Sequence, residues 1–357
     1  MYDQIREDIL FIILYAGVTF MAMMASCYLL FRRANAIAPD VTSSVRLRRW
    51  TGVFFASIAL NHVWYMPILF LSSNEDILMT DLIGGLLDSM TVVPLAIVVL
   101  FAMLQDRRRP LWPVAVMVAP LVVGNSLDLA TLSYAFLPML NTYALLLGIG
   151  ISIYMVSALR QYGRWLRDNY ADLEHKEVWQ SFVVLAILLL VFNIYAFTNE
   201  GTAYVYAMQV GCAVLICYLL WRVETLSDLS NSHPQELPTL SLTIRNIGPL
   251  LKQLCEEPQL YLQHDISVAQ LAMLIGTNRV YLSQYFTNLG INYNTYINGL
   301  RIQHFINLYH ESAQNHQTII TKQLAHQSGF RSYSTFGAAF KQIMGVTATE
   351  WMRNQVE

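Results

Sequence analysis

LAMLIGTNRVYLSQYF (Leu271–Phe286) and LAHQSGFRSYSTFGAAF (Leu324–Phe340) are two copies of one sequence pattern. In each copy a Leu-Ala pair is followed by a glycine, Gly276 or Gly329, and then by apolar residues at helical spacing. Glycine allows the left-handed backbone conformation that a tight turn requires. A helix, a glycine turn and a second amphipathic helix are typical of a helix-turn-helix.

The repeat extends beyond these two stretches. The further matching pairs are Gly290-Ile291 with Gly345-Val346 and Tyr296-Ile297 with Trp351-Met352. Asn278 and Ser332 are placed to cap the second helix of each copy. We therefore predict two helix-turn-helix units, at about 266–290 and 320–345, joined by a long helix through Asn294–Tyr309.

Residues Ile266–Arg353 resemble the DNA-binding domain of AraC/XylS-type bacterial transcription regulators. The second unit carries most of the resemblance, in Gly329-Phe330, Ser332, Ser334, Phe336, Phe340-Lys341, Gly345-Val346-Thr347 and Glu350-Trp351. The first unit adds Leu271-Ala272, Gly276, Tyr281-Leu282-Ser283, Phe286, Tyr296 and Leu300-Arg301. The resemblance covers about a quarter of the chain. It implies an all-helical domain that binds double-stranded promoter DNA sequence-specifically.

The helical spacing separates core positions from positions that can face DNA. Leu282, Phe286, Phe336 and Phe340 are predicted to be core. The predicted DNA-facing residues are Arg279, Val280, Ser283, Gln284 and Thr287 in the first unit, and Tyr333, Ser334, Thr335 and Ala338 in the second. In the major groove Arg can read guanine, Gln can read adenine and Val can contact a thymine methyl. Arg331 and Lys341 suit phosphate contacts, which set register without reading sequence. For each position the alternative is a solvated helix face.

The charge of this region is low for a DNA-binding domain. From Asp265 onward six basic and four acidic side chains give a net charge of +2. DNA affinity depends strongly on basic contacts to phosphates. We therefore expect weak binding by one copy alone, and a homodimer on DNA.

The composition of the whole chain indicates a membrane protein. Hydrophobic residues make up 55% of the 357 residues and charged residues only 13%, whereas a soluble chain averages about 25% charged. We predict an all-α protein in three parts: a transmembrane domain at 1–222, a cytoplasmic linker at 223–243 and a DNA-binding domain at 244–357.

Seven stretches before residue 223 approach or exceed the roughly 20 apolar residues that a transmembrane helix needs. They are Ile9–Phe31, Trp50–Leu71, Leu82–Leu104, Leu111–Leu127, Leu132–Leu159, Trp179–Thr198 and Thr202–Trp221. A seven-helix bundle is therefore predicted.

Basic residues alternate between the two sides of the predicted bundle. They are concentrated in the loops after the first, third and fifth spans and at the end of the seventh: Arg32, Arg33, Arg46, Arg48, Arg49, Arg107–Arg109, Arg160, Arg164, Arg167, Lys176 and Arg222. Because basic loops stay in the cytoplasm, the N-terminus is predicted outside and the C-terminal domain inside. The predicted location is the bacterial cytoplasmic (inner) membrane.

Several polar side chains fall within the predicted spans. We select His62, Asp88, Asn141 and Asn193 as candidates for binding a small-molecule or membrane-derived signal, because ionisable and polar groups inside a membrane are costly and often functional. The alternative is hydrogen bonding between helices, which such side chains commonly provide.

These features predict a membrane-bound one-component transcription regulator. A membrane receptor or transporter with a C-terminal regulatory domain is the alternative. The sequence offers little support for an enzyme, since it contains neither His-Glu-x-x-His nor Gly-x-Ser-x-Gly. No cofactor is expected. No metal site is expected either, because the histidines from His264 onward lack metal-ligand spacing.

Overall fold

We describe the protein from a computed structural model that covers residues 7–187, 202–229, 247–316 and 318–355. Across these ranges the regular secondary structure is helical and contains no β-strand. Two isolated β-bridges, Ser43–Ser227 and Tyr170–Ser267, are present. The predicted all-α fold is confirmed.

The described residues form two compact units. The first consists of the residues up to Arg160 together with Val178–Leu229. The second consists of Gln161–Glu177 together with the residues from Ile247 onward.

The first unit is built from long apolar helices. They are α1 (Ile9–Phe31), α2 (Val45–Tyr65), α3 (Asn74–Met90), α4 (Val92–Met103), α5 (Trp112–Thr131), α6 (Leu137–Asn169) and α7 (Thr202–Thr225). Residues 179–187 are also helical. The last turns of α6, from Gln161, belong to the second unit.

Among the described residues, six helical segments are long and apolar enough to cross a membrane. Helices α3 and α4 count as one of them, Asn74–Met103. Six of the seven predicted spans therefore have a matching helix. The other, Trp179–Thr198, lies partly outside the described residues, so the number seven stays a prediction.

A polar cluster around Glu224 ties the end of α7 to α1 and α2. The Glu224 carboxylate lies 3.6 Å from Arg48 Nη1 and accepts hydrogen bonds from the Tyr28 hydroxyl and the Ile37 amide. Asn35 Nδ2 donates to the Glu224 carbonyl at 2.8 Å. Val223–Leu229 are consequently packed within the first unit. This cluster holds the first residues of the predicted linker, Val223–Leu229, against the bundle, and the domain boundary at residue 223 stays a prediction.

The second unit contains the predicted repeat. Its helices are α8 (Ile247–Leu251), α9 (Val268–Leu274), α10 (Arg279–Asn288), α11 (Tyr293–Gln314), α12 (Thr321–Gln327), α13 (Tyr333–Met344) and α14 (Ala348–Arg353). A π-helical turn, Lys252–Glu256, and a 3-10 turn, Leu260–Leu262, lie between α8 and α9. Pairs α9–α10 and α12–α13 are the two helix-turn-helix units, and α11 joins them.

Each helix-turn-helix unit has its own apolar core. Leu282 and Phe286 lie in the first core, and Phe336 and Phe340 lie in the second, as predicted. Phe305 of α11 enters the second core, where its ring centroid lies 4.6 Å from that of Phe336. Side chains of this size contribute about 1.5–3 kcal/mol each through burial, so these cores supply much of the stability of the unit.

The segment Gln161–Glu177 packs as part of the second unit, not as a loop of the first. Ala171 is fully buried in the first helix-turn-helix core. Its backbone amide donates to the Ile266 carbonyl, and Asn294 Nδ2 donates to the Ala171 carbonyl at 2.6 Å. These contacts group residues 161–177 with the second unit, whereas the sequence places them within a domain at 1–222, and the domain bounds stay a prediction.

The turn glycines have the backbone conformation that the repeat predicted. Gly276 has a φ of 72° and Gly329 a φ of 87°. At Gly329 a Cβ atom would also lie 2.8 Å from Leu262 Cα. Two constraints require glycine at position 329. The positive φ disfavours a side chain, and the backbone of Leu262 leaves no space for one.

Candidate DNA-binding surface

The first recognition helix, α10, presents the predicted reading face to solvent. The Asn278 side chain accepts a hydrogen bond from the Tyr281 amide and so caps α10 as predicted. Leu282 and Phe286 turn inward, which leaves Val280, at 68% exposure, on the opposite side. The other predicted contacts are exposed at Gln284 and Thr287, and half-buried at Arg279 and Ser283.

Polar side chains on the exposed face of α10 form hydrogen bonds within the helix. Gln284 Nε2 donates to Asn288 Oδ1 at 2.9 Å, one turn along the same helix. Thr287 Oγ1 donates to the Ser283 carbonyl. Both are local hydrogen bonds on an open face. Such bonds can exchange for base contacts without disturbing the core.

The second recognition helix, α13, has a similar division of faces. Ser332 caps it by accepting a hydrogen bond from the Thr335 amide, as predicted. Tyr333, Ser334, Ala338 and Lys341 are exposed, and Arg331 and Thr335 are half-buried.

Two predicted DNA contacts of this second unit already have acidic partners. Arg331 Nε lies 3.3 Å from Asp172 Oδ2, and Arg331 Nη2 also pairs with Asp265. Thr335 Oγ1 donates to Glu174 Oε2 at 3.2 Å. Asp172 and Glu174 belong to the segment Gln161–Glu177. Carboxylates here therefore occupy donors of two side chains that are predicted to contact DNA.

Asp265 lies between two cations, Lys176 and Arg331. Burial alone would raise the pKa of the Asp265 carboxyl, but these two charges outweigh it and hold the pKa below its ordinary value. Lys176 Nζ lies 3.2 Å from Asp265 Oδ1. The Asp265 carboxyl is therefore ionised at neutral pH.

Arg301 has a structural role, although it contributes to the net charge of +2 given above. Its side chain is 1% exposed and donates to the carbonyls of Tyr261, Gln263 and His264. Burial lowers the pKa of the guanidinium to about 10, so it stays charged at neutral pH. Arg301 holds the fold together and adds nothing to the DNA-facing charge.

The candidate signal residues lie in the first unit, and two of them are held in polar contacts. His62 Nε2 lies 2.9 Å from Gln209 Oε1 of α7. Asp88 accepts hydrogen bonds from Asn61 Nδ2 at 2.7 Å and from the Tyr65 hydroxyl at 3.2 Å.

These contacts link α3 to α2 and α2 to α7 through polar side chains. His62 also lines a cavity of about 420 Å³ with Tyr15 and Thr19. Asn141 is exposed on α6, and Asn193 lies outside the described residues. Across those residues no group of three or more potential metal ligands is present.

Comparison with known proteins agrees with the geometry of the second unit. Residues 262–354 match a family profile described as a helix-turn-helix domain. The C-terminal region is an AraC-type helix-turn-helix domain.

The domain is 34% identical over 78 residues to the TCP pilus virulence regulatory protein of Vibrio cholerae serotype O1, in both the classical Ogawa and the El Tor Inaba strains. The match covers 22% of this chain and 26% of that protein. The chain thus spans about a quarter of the length of the curated relatives it matches. No solved structure matches the chain significantly.

The two kinds of predicted contact on this AraC-type domain can be separated by substitution. Arg279→Ala or Gln284→Ala should reduce the preference for promoter over random DNA by about 1–3 kcal/mol, because each removes one bidentate base contact. Lys341→Ala should weaken binding to all sequences alike and flatten the salt dependence. Gel-shift titrations of the full-length protein at several salt concentrations measure both effects. An unchanged sequence preference in Arg279→Ala would show that α10 does not read the groove with this face.

Proposed function

We propose that the protein is a membrane-bound one-component transcription regulator. The observation that carries the proposal is an AraC-type helix-turn-helix domain in the same chain as six helical segments of membrane-spanning length. A DNA-binding domain has to be on the cytoplasmic side. The arginine-rich loops after the first, third and fifth spans support that orientation.

The membrane half of the proposal is tested by reporter fusions. With seven spans, a fusion after Asn199 should report the outer side and a fusion after Leu226 the cytoplasm, because one span lies between them. Alkaline phosphatase and green fluorescent protein, active on opposite sides, give the readout. Reports from the same side at both positions would contradict the seven-span orientation.

The polar contacts between α2, α3 and α7 are the proposed route by which a signal acts on the membrane domain. A ligand shifts a conformational equilibrium only if it binds the two states differently. Asp88 and His62 can supply such a difference, since each holds a contact between helices that a small-molecule or membrane-derived ligand could replace.

Asp88→Asn and His62→Ala should alter the transcriptional response to the inducing condition while leaving protein level and DNA affinity unchanged. Asp88→Asn removes the charge and one of the two oxygens that accept from Asn61 and Tyr65, and His62→Ala removes the contact with Gln209; neither changes a residue of the second unit. Ser126→Ala is the matched control, since Ser126 is an exposed polar residue of the same bundle whose hydroxyl donates only to the Val122 carbonyl of its own helix. Promoter occupancy measured by cross-linking in induced and uninduced cells gives the result. A wild-type response in both variants would remove them from signal transfer.

The segment Gln161–Glu177 is the proposed link from the membrane domain to DNA binding. Helix α6 runs without a break from Leu137 to Asn169, about 50 Å at 1.5 Å per residue. The hydrocarbon core of a bilayer is only about 30 Å thick, so the end of α6 extends beyond it. That end continues directly into Asp172 and Glu174, which contact Arg331 and Thr335. A movement of α6 would therefore change the availability of these two DNA contacts.

Removing either acidic partner should strengthen DNA binding. Asp172→Asn or Glu174→Ala should each tighten promoter binding by up to about fivefold, because the ion pair of Asp172 with Arg331 and the hydrogen bond of Glu174 with Thr335 each contribute about 1 kcal/mol. Asp168→Asn removes an exposed carboxylate from the same segment and controls for net charge. Titrations of the full-length protein on promoter DNA give the affinities. Equal affinities for Asp172→Asn and Asp168→Asn would show that the segment does not compete with DNA.

Homodimerisation is the proposed way in which the low charge is overcome. Two recognition helices in one chain suit major-groove segments about one helical turn, 34 Å, apart. Pairing two such chains raises the effective concentration at the promoter without any new DNA contact.

A further inference from the structure

A cavity of about 730 Å³ lies between α4, α5 and α6 in the first unit. Its apolar wall is formed by Phe101, Met117, Tyr143, Leu147, Ile151 and Tyr154. This volume falls within the range of about 300–1,000 Å³ that is usual for small-molecule sites. The cavity is separate from the one beside His62.

Three consecutive arginines from the loop between α4 and α5 also line the cavity. Arg107 and Arg109 lie 3.9 and 2.8 Å from the carboxylate of Asp106, while Arg108 is exposed. The Asp106 carboxylate thus pairs with two of the three guanidinium groups, which leaves an excess of positive charge at the cavity.

Arg109 offers a specific unpaired donor. Its side chain is more than nine-tenths buried, and its Nε atom has no hydrogen-bond acceptor among the described residues. Nη1 of the same guanidinium donates to the Leu104 carbonyl at 3.0 Å, which fixes its orientation. A buried donor without a partner is costly, so an anionic oxygen in the cavity would relieve that cost.

The cavity opens on the outer surface of the helical bundle. Leu146 is 61% exposed and Tyr154 41% exposed, and both side chains line the cavity. If the bundle spans the membrane as proposed, this surface faces lipid, and the arginines lie at the cytoplasmic end of the third and fourth spans. Basic pockets between helices on that side are suited to anionic lipid headgroups.

We propose that this cavity binds a phospholipid of the cytoplasmic leaflet with an anionic headgroup. The headgroup phosphate is held by Arg108 and Arg109, and one acyl chain lies along the apolar wall formed by α5 and α6. The proposal rests on the membrane location given under the proposed function. It assigns a lipid ligand to the bundle, distinct from any signal at His62 and Asp88.

Two glycines of α6 provide a matched test of the apolar wall. Gly150 lines the cavity, whereas Gly148 does not. A Cβ atom at either position meets no other atom within 4 Å. Gly150→Phe should therefore fill the cavity, and Gly148→Phe should place the same ring on the same helix elsewhere. Arg108→Gln tests the headgroup, with Arg33→Gln as its control, since Arg33 is an exposed arginine of another loop.

The measurement is the number of lipids retained by the full-length protein in native mass spectrometry after equal exposure to phosphatidylglycerol and phosphatidylcholine. The wild type should retain phosphatidylglycerol preferentially. Arg108→Gln should lower that retention about fivefold, the effect of removing one basic side chain beside an anionic lipid. Gly150→Phe should abolish it, and both control variants should match the wild type.

Equal retention of the two lipids, or equal effects of Gly150→Phe and Gly148→Phe, would overturn the proposal. Preferential retention of oleate offered at the same concentration would replace a phospholipid by a free fatty acid and would also overturn it. The reporter fusions described above distinguish this failure from that of the proposed function. A correctly oriented protein that retains no phosphatidylglycerol contradicts the lipid site alone.

Discussion

The buried guanidinium of Arg301 is the contact on which the rest of the DNA-binding unit depends. It projects from the joining helix α11 and binds three backbone carbonyls, those of Tyr261, Gln263 and His264. His264 in turn lies 2.9 Å from the Gly329 carbonyl, at the turn of the second helix-turn-helix. A buried charge is tolerated only when its hydrogen bonds are satisfied. The polypeptide between α8 and α9 is thereby fixed against both halves of the repeat.

The two helix-turn-helix units differ in their acidic contacts. Asp265, directly after His264, contacts both Lys176 and Arg331, so the second helix-turn-helix is connected to the segment Gln161–Glu177. The first helix-turn-helix has no comparable acidic contact on the exposed face of α10 within the described residues. The two copies of the pattern therefore present different surfaces. The exposed face of α10 has no acidic partner among the described residues, whereas Arg331 and Thr335 at the N-terminal end of α13 contact carboxylates.

The repeat explains why the sequence predicted this unit well and its surroundings poorly. Leu282, Phe286, Phe336 and Phe340 follow a short-range helical period, and Asn278 and Ser332 act within one turn, so local pattern is sufficient to locate them. The contacts of Asp172 and Glu174 join residues 159 and 161 positions apart in the chain, and no local pattern reports such pairing. The net charge of +2 includes Arg301, because composition alone does not show whether a side chain is buried.

The ion pairs of Arg331 change what a salt titration of this protein can report. When a free arginine binds a DNA phosphate, condensed cations leave the DNA and the affinity falls steeply with salt. Arg331 must first leave Asp172 and Asp265, and those carboxylates then attract cations of their own. The net release of ions at this position is smaller than the number of phosphate contacts implies. A shallow salt slope would thus be compatible with extensive backbone contact, and the protein could stay bound over a wider range of cytoplasmic ionic strength than its contacts with DNA would suggest.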